Sequence, residues 1–302
     1  MLPKVSILIP TYNRPVFFEL ALLSAVKQTY QNTEVVVCDD STDDSTQALI
    51  EPYLAKFRQV KYFRNPSTLG ALANFRRCFE LSTGDYVNYL MDDDLFHEQK
   101  IERMMAYFLR YDSIRLATSY RQLIDQDGNH LAPMRSTIRL SSEDRLIDGK
   151  MLGDLTLKSL NNVIGEPTTV LFRKRDLLEP FGAFMGRDYG CNVDMASWIA
   201  LLSSGQAAFL ADTLSYSRVH QDQQSQSIRM TVLGTADWVH QIIAAPQLGF
   251  LSEIADYRVA ASHCLDLVVY TITSAVAAES GSLVAATDLQ ANLQELLYSL
   301  LT

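Results

Sequence analysis

Short runs of apolar, β-branched residues alternate with stretches of helical spacing from residue 4 to residue 120, and few folds accommodate that order. Residues 4–9 read as a strand, and Phe17, Leu20, Leu23 and Val26 then mark a helix over 16–28. The alternation predicts further strands at 34–38, 60–63, 85–91 and 114–120 and helices at 43–57, 70–81 and 97–110. Repeated βα units of this kind place helices on both faces of a sheet, so the expected class is α/β with a mostly parallel sheet.

Three of these strands end in polar residues. The first leads into Thr11-Tyr12-Asn13-Arg14, the second into Asp39-Asp40-Ser41, and Tyr89-Leu90-Met91 into Asp92-Asp93-Asp94. Open α/β sheets bind ligands beyond the C-terminal ends of their strands, where carboxylates can hold a divalent cation beside a nucleotide.

The 302 residues, 48% hydrophobic and 20% charged, suffice for a large core, as one domain or a main domain with an appendage. A net charge of −9 argues against a general nucleic-acid binder, which needs a basic face to displace phosphate counterions. Cys38, Cys78, Cys191 and Cys264 lie far apart without metal-ligand spacing, which points to reduced thiols in a cytoplasmic protein. The N-terminus enters a strand within a few residues, so no leader is expected. The apolar stretch 267–278 falls short of the roughly 20 residues a spanning helix needs. It is expected as a buried helix, with no transmembrane segment. Attachment to a membrane surface is left open, since no polybasic cluster or lipidation site argues for it.

Beyond residue 120, Asp125-Gln126-Asp127-Gly128-Asn129 predicts a tight turn, and 133–165 is polar and mixed, as loops over a sheet edge are. A strand is expected at 168–172, a helix at 191–204 and two short strands over 206–219. From about residue 230 the pattern is helical. Its last segment sets Leu289, Leu293, Leu296, Leu297, Leu300 and Leu301 on one stripe, with Asp288 as a cap. That stripe packs on the chain's own core or serves a second copy or partner. The expected division is 1–228 and a helical region 229–302.

With these residues assembled, the chain resembles glycosyltransferase family 2, whose GT-A fold is a Rossmann-like, mostly parallel sheet flanked by helices. The resemblance covers roughly residues 3–228 and implies an inverting transfer from a nucleotide diphosphate sugar, UDP-linked, to a hydroxyl acceptor in polysaccharide or glycoconjugate synthesis. It implies that Thr11, Tyr12, Asn13 and Arg14 border the nucleotide. Asp40, with Asp39 beside it, would accept the imide N–H of uracil, which cytosine lacks. The family's Gly after the acid pair is absent here, and helix capping is expected to account for some of Asp43, Asp44 and Ser45. Gly70 and Asn74 are similar to the segment that opens a helix near the nucleotide.

The acid triplet resembles the family's metal-binding element, although Met91 stands where many members carry the first acid. In the shifted register this favours, Asp93 is the ligand of Mn²⁺ or Mg²⁺, Asp92 lies near ribose or metal, and Asp94 supports them. A closed zinc site does not fit. The segment Asn192-Val193-Asp194 ahead of Trp198 is similar to the family's Glu-Asp pair, with Val193 replacing the Glu and Asp194 on the general base. Tyr216-Ser217-Arg218-Val219-His220, followed by Asp222 and Gln223, resembles the element bordering the diphosphate. Arg218 is then a leaving-group contact, and His220 a metal ligand, a phosphate contact or a structural His. Glu166 and Thr168 fall where acceptor contacts lie.

Two other readings stay open: a nucleotide-sugar-binding or assembly protein without catalysis, which the replacement of family acids by Met91 and Val193 keeps open, and a sugar-phosphate nucleotidyltransferase. The latter needs a Gly-rich, Arg-containing loop after the first strand, and none is present. The absence of a Gly-x-Gly-x-x-Gly or Gly-x-x-x-x-Gly-Lys-Ser/Thr motif argues against dinucleotide oxidoreductases and P-loop ATPases.

Overall fold

A computed structural model describes residues 2–220, 227–277 and 289–301. Asp222, Gln223 and the cap expected at Asp288 lie outside them. The chain forms two compact units. The first comprises Met1–Ile147, Val163–Phe181 and Gly205–His220, the second Asp148–Asn162, Gly182–Ser204 and Gln221–Thr302. The second unit thus joins segments from within 1–228 to the C-terminal helices.

The first unit begins β1 (Val5–Thr11), α1 (Pro15–Val26), β2 (Thr33–Asp39), α2 (Ser45–Lys56), β3 (Val60–Arg64), α3 (Ala71–Leu81), β4 (Tyr86–Tyr89), β5 (Leu95–Phe96), α4 (Lys100–Arg110), β6 (Ile114–Ile124) and β7 (Arg145–Asp148). The second unit contributes α5 (Gly149–Ser159), and the first resumes with β8 (Leu171–Arg173). After β9 (Ala183–Phe184), β10 (Arg187–Asp188) and α6 (Val193–Leu202) of the second unit, β11 (Gln206–Arg218) completes the sheet. The strand order is β3-β2-β1-β4-β8-β6-β11-β5, with β7 on β11.

β3, β2, β1 and β4 run parallel, as do β6 and β11. The short β8 sits antiparallel between β4 and β6. Its N-terminal side therefore meets the C-terminal end of β4, which brings residues 166–168 to the acid turn. The apolar runs of β1 and β2 are continuous because both faces are covered. Ile7, Ile9, Val35 and Val37 share a core with Phe18 and Leu22 of α1 and Ile50 of α2. α3 packs on β1 and β2, with the Cys78 thiol directed at the Val36 carbonyl.

Two expectations need correction. Residues 206–219 form one strand: register shifts between Leu210 and Ser215 interrupt the alternation, so its halves read as separate strands. The stretch expected as loops holds α5, capped by the Asp148 carboxylate on the Met151 N–H at 3.0 Å. Gly149 and Gly153 weaken its helical signal. Gly153 is required by packing, since a Cβ there would overlap the Phe250 ring.

In the second unit α7 (Ile228–Ala244), α8 (Ile254–Ala277) and α9 (Leu289–Leu301) pack on one another. Leu289 and Leu296 are buried and Leu297 is exposed, so the stripe packs within this unit over part of its length. The expectation of a short buried helix at 267–278 is also corrected. α8 runs 24 residues, exposes Val259, Val269, Tyr270 and Val276, and is by length and composition apolar enough to cross a membrane. Core and spanning helices pass that test alike.

Candidate active site

The C-terminal ends of β1, β2 and β4 meet at one edge of the first unit's sheet. Thr11, the last residue of β1, donates its hydroxyl to Asp92 Oδ2 at 2.9 Å, and the Tyr12 N–H reaches the same oxygen at 3.2 Å. Asn13 adopts a left-handed φ of 53°, which Asn tolerates better than most residues. Its N–H donates to Ser41 Oγ (2.9 Å) and its side-chain oxygen accepts the Thr42 N–H (2.9 Å), tying the β1 turn to the β2 turn. Arg14 then points back, with Nη1 3.3 Å from Asp92 Oδ1 and 2.9 Å from Asp93 Oδ2.

The three acids have different environments. Asp94 is buried under the turn, accepting the Thr168 hydroxyl at 2.5 Å and the Arg218 N–H at 2.8 Å. Burial, then the adjacent Asp93 charge, pushes its carboxyl well up. Asp92 is pushed up to about 6 by burial and then by Asp93, against the pull of Arg14, the Tyr12 N–H and the Thr11 hydroxyl. Asp93 Oδ2 faces Arg14 and His220 Nε2 (3.0 Å). Asp93 Oδ1 is the one carboxylate oxygen of the triplet without a partner among the described residues.

That oxygen is a hard donor of the kind a Mg²⁺ or Mn²⁺ ion would take from protein, with diphosphate and water completing its shell. A single carboxylate fits such a cation. No group of three or more His, Cys, Asp or Glu among the described residues forms a cage for one. His220 packs on Phe17 at 5.2 Å, and its buried Nδ1 has no hydrogen-bond partner among the described residues. This imidazole braces Asp93 on the oxygen opposite Oδ1.

Asp40 accepts three donors: Asn65 Nδ2 and the Leu69 N–H on Oδ1, both at 2.8 Å, and the Gly70 N–H on Oδ2 at 2.9 Å. It therefore shapes the turn that opens α3, and Oδ2 retains capacity for another donor. Gly70, with φ 89° and ψ 160°, occupies a backbone region nearly restricted to glycine. Asn74 is buried, donating to the Cys38 carbonyl (3.0 Å) and accepting from Asn65 (2.9 Å). Asp39 is fully buried between the Ser41 N–H (2.9 Å) and the Tyr62 hydroxyl (2.7 Å). Asp39 and Asn74 thus support the cluster from within the fold.

Arg218 is 3% exposed and donates to the carbonyls of Asp93 (2.8 Å), Asp125 (2.8 Å) and Gln126 (3.0 Å), over the Phe17 ring. It fastens the acid turn to the turn after β6. Thr168 is also buried, its hydroxyl between the Met91 N–H (3.1 Å) and Asp94, while Glu166 pairs with Arg121. Lys100 went unnoticed in the sequence. It is fully buried and donates to the Thr169 carbonyl at 2.8 Å, with its ammonium pushed well down by burial. A lysine opening an amphipathic helix gives no signal of that role.

Asp194 belongs to the second unit, in the first turn of α6, where helix dipoles favour an anion. The Met195 N–H donates to Oδ1 (2.8 Å) and Asn162 Nδ2 to Oδ2 (2.7 Å). The loop ahead of α6 is held by Asp237 of α7, whose Oδ2 accepts the N–H groups of Gly190 (3.1 Å), Cys191 (2.8 Å) and Asn192 (3.0 Å). An acid inside the apolar run Thr235-Ala236-Asp237-Trp238-Val239 was the available signal.

The profile named Glycosyl transferase family 2 matches residues 6–176, more than half of the chain. An uncharacterized glycosyltransferase of Haemophilus influenzae is 29% identical over 130 residues, 43% of this chain and 52% of that protein, so the match spans about half the relative's length. The putative teichuronic acid biosynthesis glycosyltransferase TuaG of Bacillus subtilis is 25% identical over 68% of this chain and 75% of its own. Among solved structures, Staphylococcus aureus TarS 1–349 in complex with UDP superposes with a TM-score of 0.64 at 19% identity, covering 86% of this chain and 70% of that one. The fold agrees with the GT-A architecture of that neighbour, the profile spans more than half of the chain, and the chain belongs to glycosyl transferase family 2.

Proposed function

We propose that the chain is an inverting glycosyltransferase, moving a sugar from a UDP-sugar to a hydroxyl acceptor in polysaccharide or glycoconjugate synthesis. The observation that carries the reading is the sheet-edge acid cluster, in which Asp93 keeps one unengaged oxygen while Arg14 and His220 brace the other. The UDP held by TarS and the biosynthetic name of TuaG support the donor class and pathway type.

In this reading Asp194 takes the proton of the acceptor hydroxyl as its oxygen bonds to the anomeric carbon, and the bond from that carbon to the diphosphate breaks. Asp40 accepts the imide N–H of the base at Oδ2, beside the Gly70 N–H. Asp93 would hold Mg²⁺ or Mn²⁺ through Oδ1, and such a cation would supply charge neutralisation at the departing diphosphate. Arg14 fixes Asp92 and Asp93, and Arg218 fixes the turn on which they sit.

Release of UDP from a panel of UDP-sugars, with the anomeric configuration of the product read by NMR, tests this. The expectation is inversion, and a fall of about 10²- to 10⁴-fold in turnover for Asp194→Asn with UDP affinity unchanged. Retained configuration, or undiminished turnover in that variant, overturns it.

A further inference from the structure

A general base must present a carboxylate oxygen to the proton it removes, in one orientation and ionised. The second unit surrounds Asp194 with groups that meet this need. Asp237 fixes the loop before α6 through three N–H groups, and Gln241 Nε2 of the same helix α7 donates to the Met195 carbonyl at 3.0 Å. The backbone under Asp194 is therefore held from α7. Its side chain is held separately: the Met195 N–H takes Oδ1, and Asn162, just after α5, takes Oδ2 at 2.7 Å.

We infer that Asn162 is the positioning residue of Asp194, its amide fixing the carboxylate rotamer and favouring the ionised form. The inference rests on the reading of Asp194 as the general base. Nothing in the sequence around Asn161-Asn162 marks such a role, since loop asparagines are common.

The test follows the Asp194 carboxyl directly. Protein labelled with [γ-¹³C]aspartate is titrated by NMR, the Asp194 signal being assigned by its loss in Asp194→Asn. Asn162→Ala removes one hydrogen bond to the anion, and its Asp194 pKa is expected about half a unit or more above wild type. Asn162→Asp places a second carboxylate at the same point and is expected to raise the apparent titration by about one unit or more. In turnover, kcat falls and its acidic limb moves up in step, while the KM for the UDP-sugar is unchanged. Circular dichroism verifies that both variants are folded. An Asp194 titration unmoved in folded Asn162→Ala and Asn162→Asp overturns the inference. Full turnover in Asp194→Asn overturns the general-base reading instead, whatever the titrations show.

Discussion

Glu34 shows at the residue scale how this chain separates stability from function. It lies near the start of β2, at the edge opposite the acid cluster, and accepts from Ser6, Thr83, Lys4 and Lys61. Burial raises its carboxyl, but these donors outweigh burial and hold it well below the usual carboxylate range. A depressed folded pKa stabilises above the unfolded value, and that stabilisation is lost as pH falls through the folded one. Glu34→Gln is therefore expected to be less stable than wild type by about 1–3 kcal/mol at pH 7 in urea unfolding, the gap narrowing below about pH 4. A gap independent of pH would contradict this. Gly70→Ala is a second residue-scale case. Its Cβ would meet nothing within 4 Å, so backbone strain alone should cost about 1–3 kcal/mol, with weaker UDP binding through the Asp40 turn. The acids were legible because a run of carboxylates after an apolar strand is rare. Their partners Thr168, His220 and Arg218 were legible as residues but not in their contacts, which join positions more than 70 residues apart.

At the scale of elements, periodicity served where one packing environment spans a whole segment and failed where it changes midway. The parallel βα units were readable from their apolar runs. β11 was not, because its register shifts break the two-residue period, and α5 was hidden by its glycines. The start of α6 depends on a contact no local pattern contains. Asp237→Ala leaves three backbone N–H groups without their carboxylate, and is expected to lower stability by about 2–3 kcal/mol. Hydrogen exchange should show the loss of protection concentrated at Gly190, Cys191 and Asn192. Protection unchanged at those amides would show that Asp237 does not hold the loop.

At the scale of the whole molecule, the sheet explains why residues from five parts of the sequence reach one place. β1, β2 and β4 run parallel and end together, β8 enters antiparallel so that Thr168 arrives from the other direction, and β11 delivers Arg218 and His220 at its exit. The class of fold and the polar ends of the strands were legible in the sequence, because alternation and strand-end polarity are local. The antiparallel insertion of β8 and the grouping of segments 148–162 and 182–204 with the C-terminal helices are non-local and left no local mark. The central claim is that the acid turn binds a nucleoside diphosphate together with a divalent cation through Asp93. Calorimetric titration of UDP into the protein, with and without Mn²⁺, tests it most directly when repeated on Asp93→Ala. The expected result is binding that Mn²⁺ strengthens in the wild type and leaves unaltered in Asp93→Ala. Equal enhancement by Mn²⁺ in both proteins, or no binding of UDP to folded wild type, would contradict it.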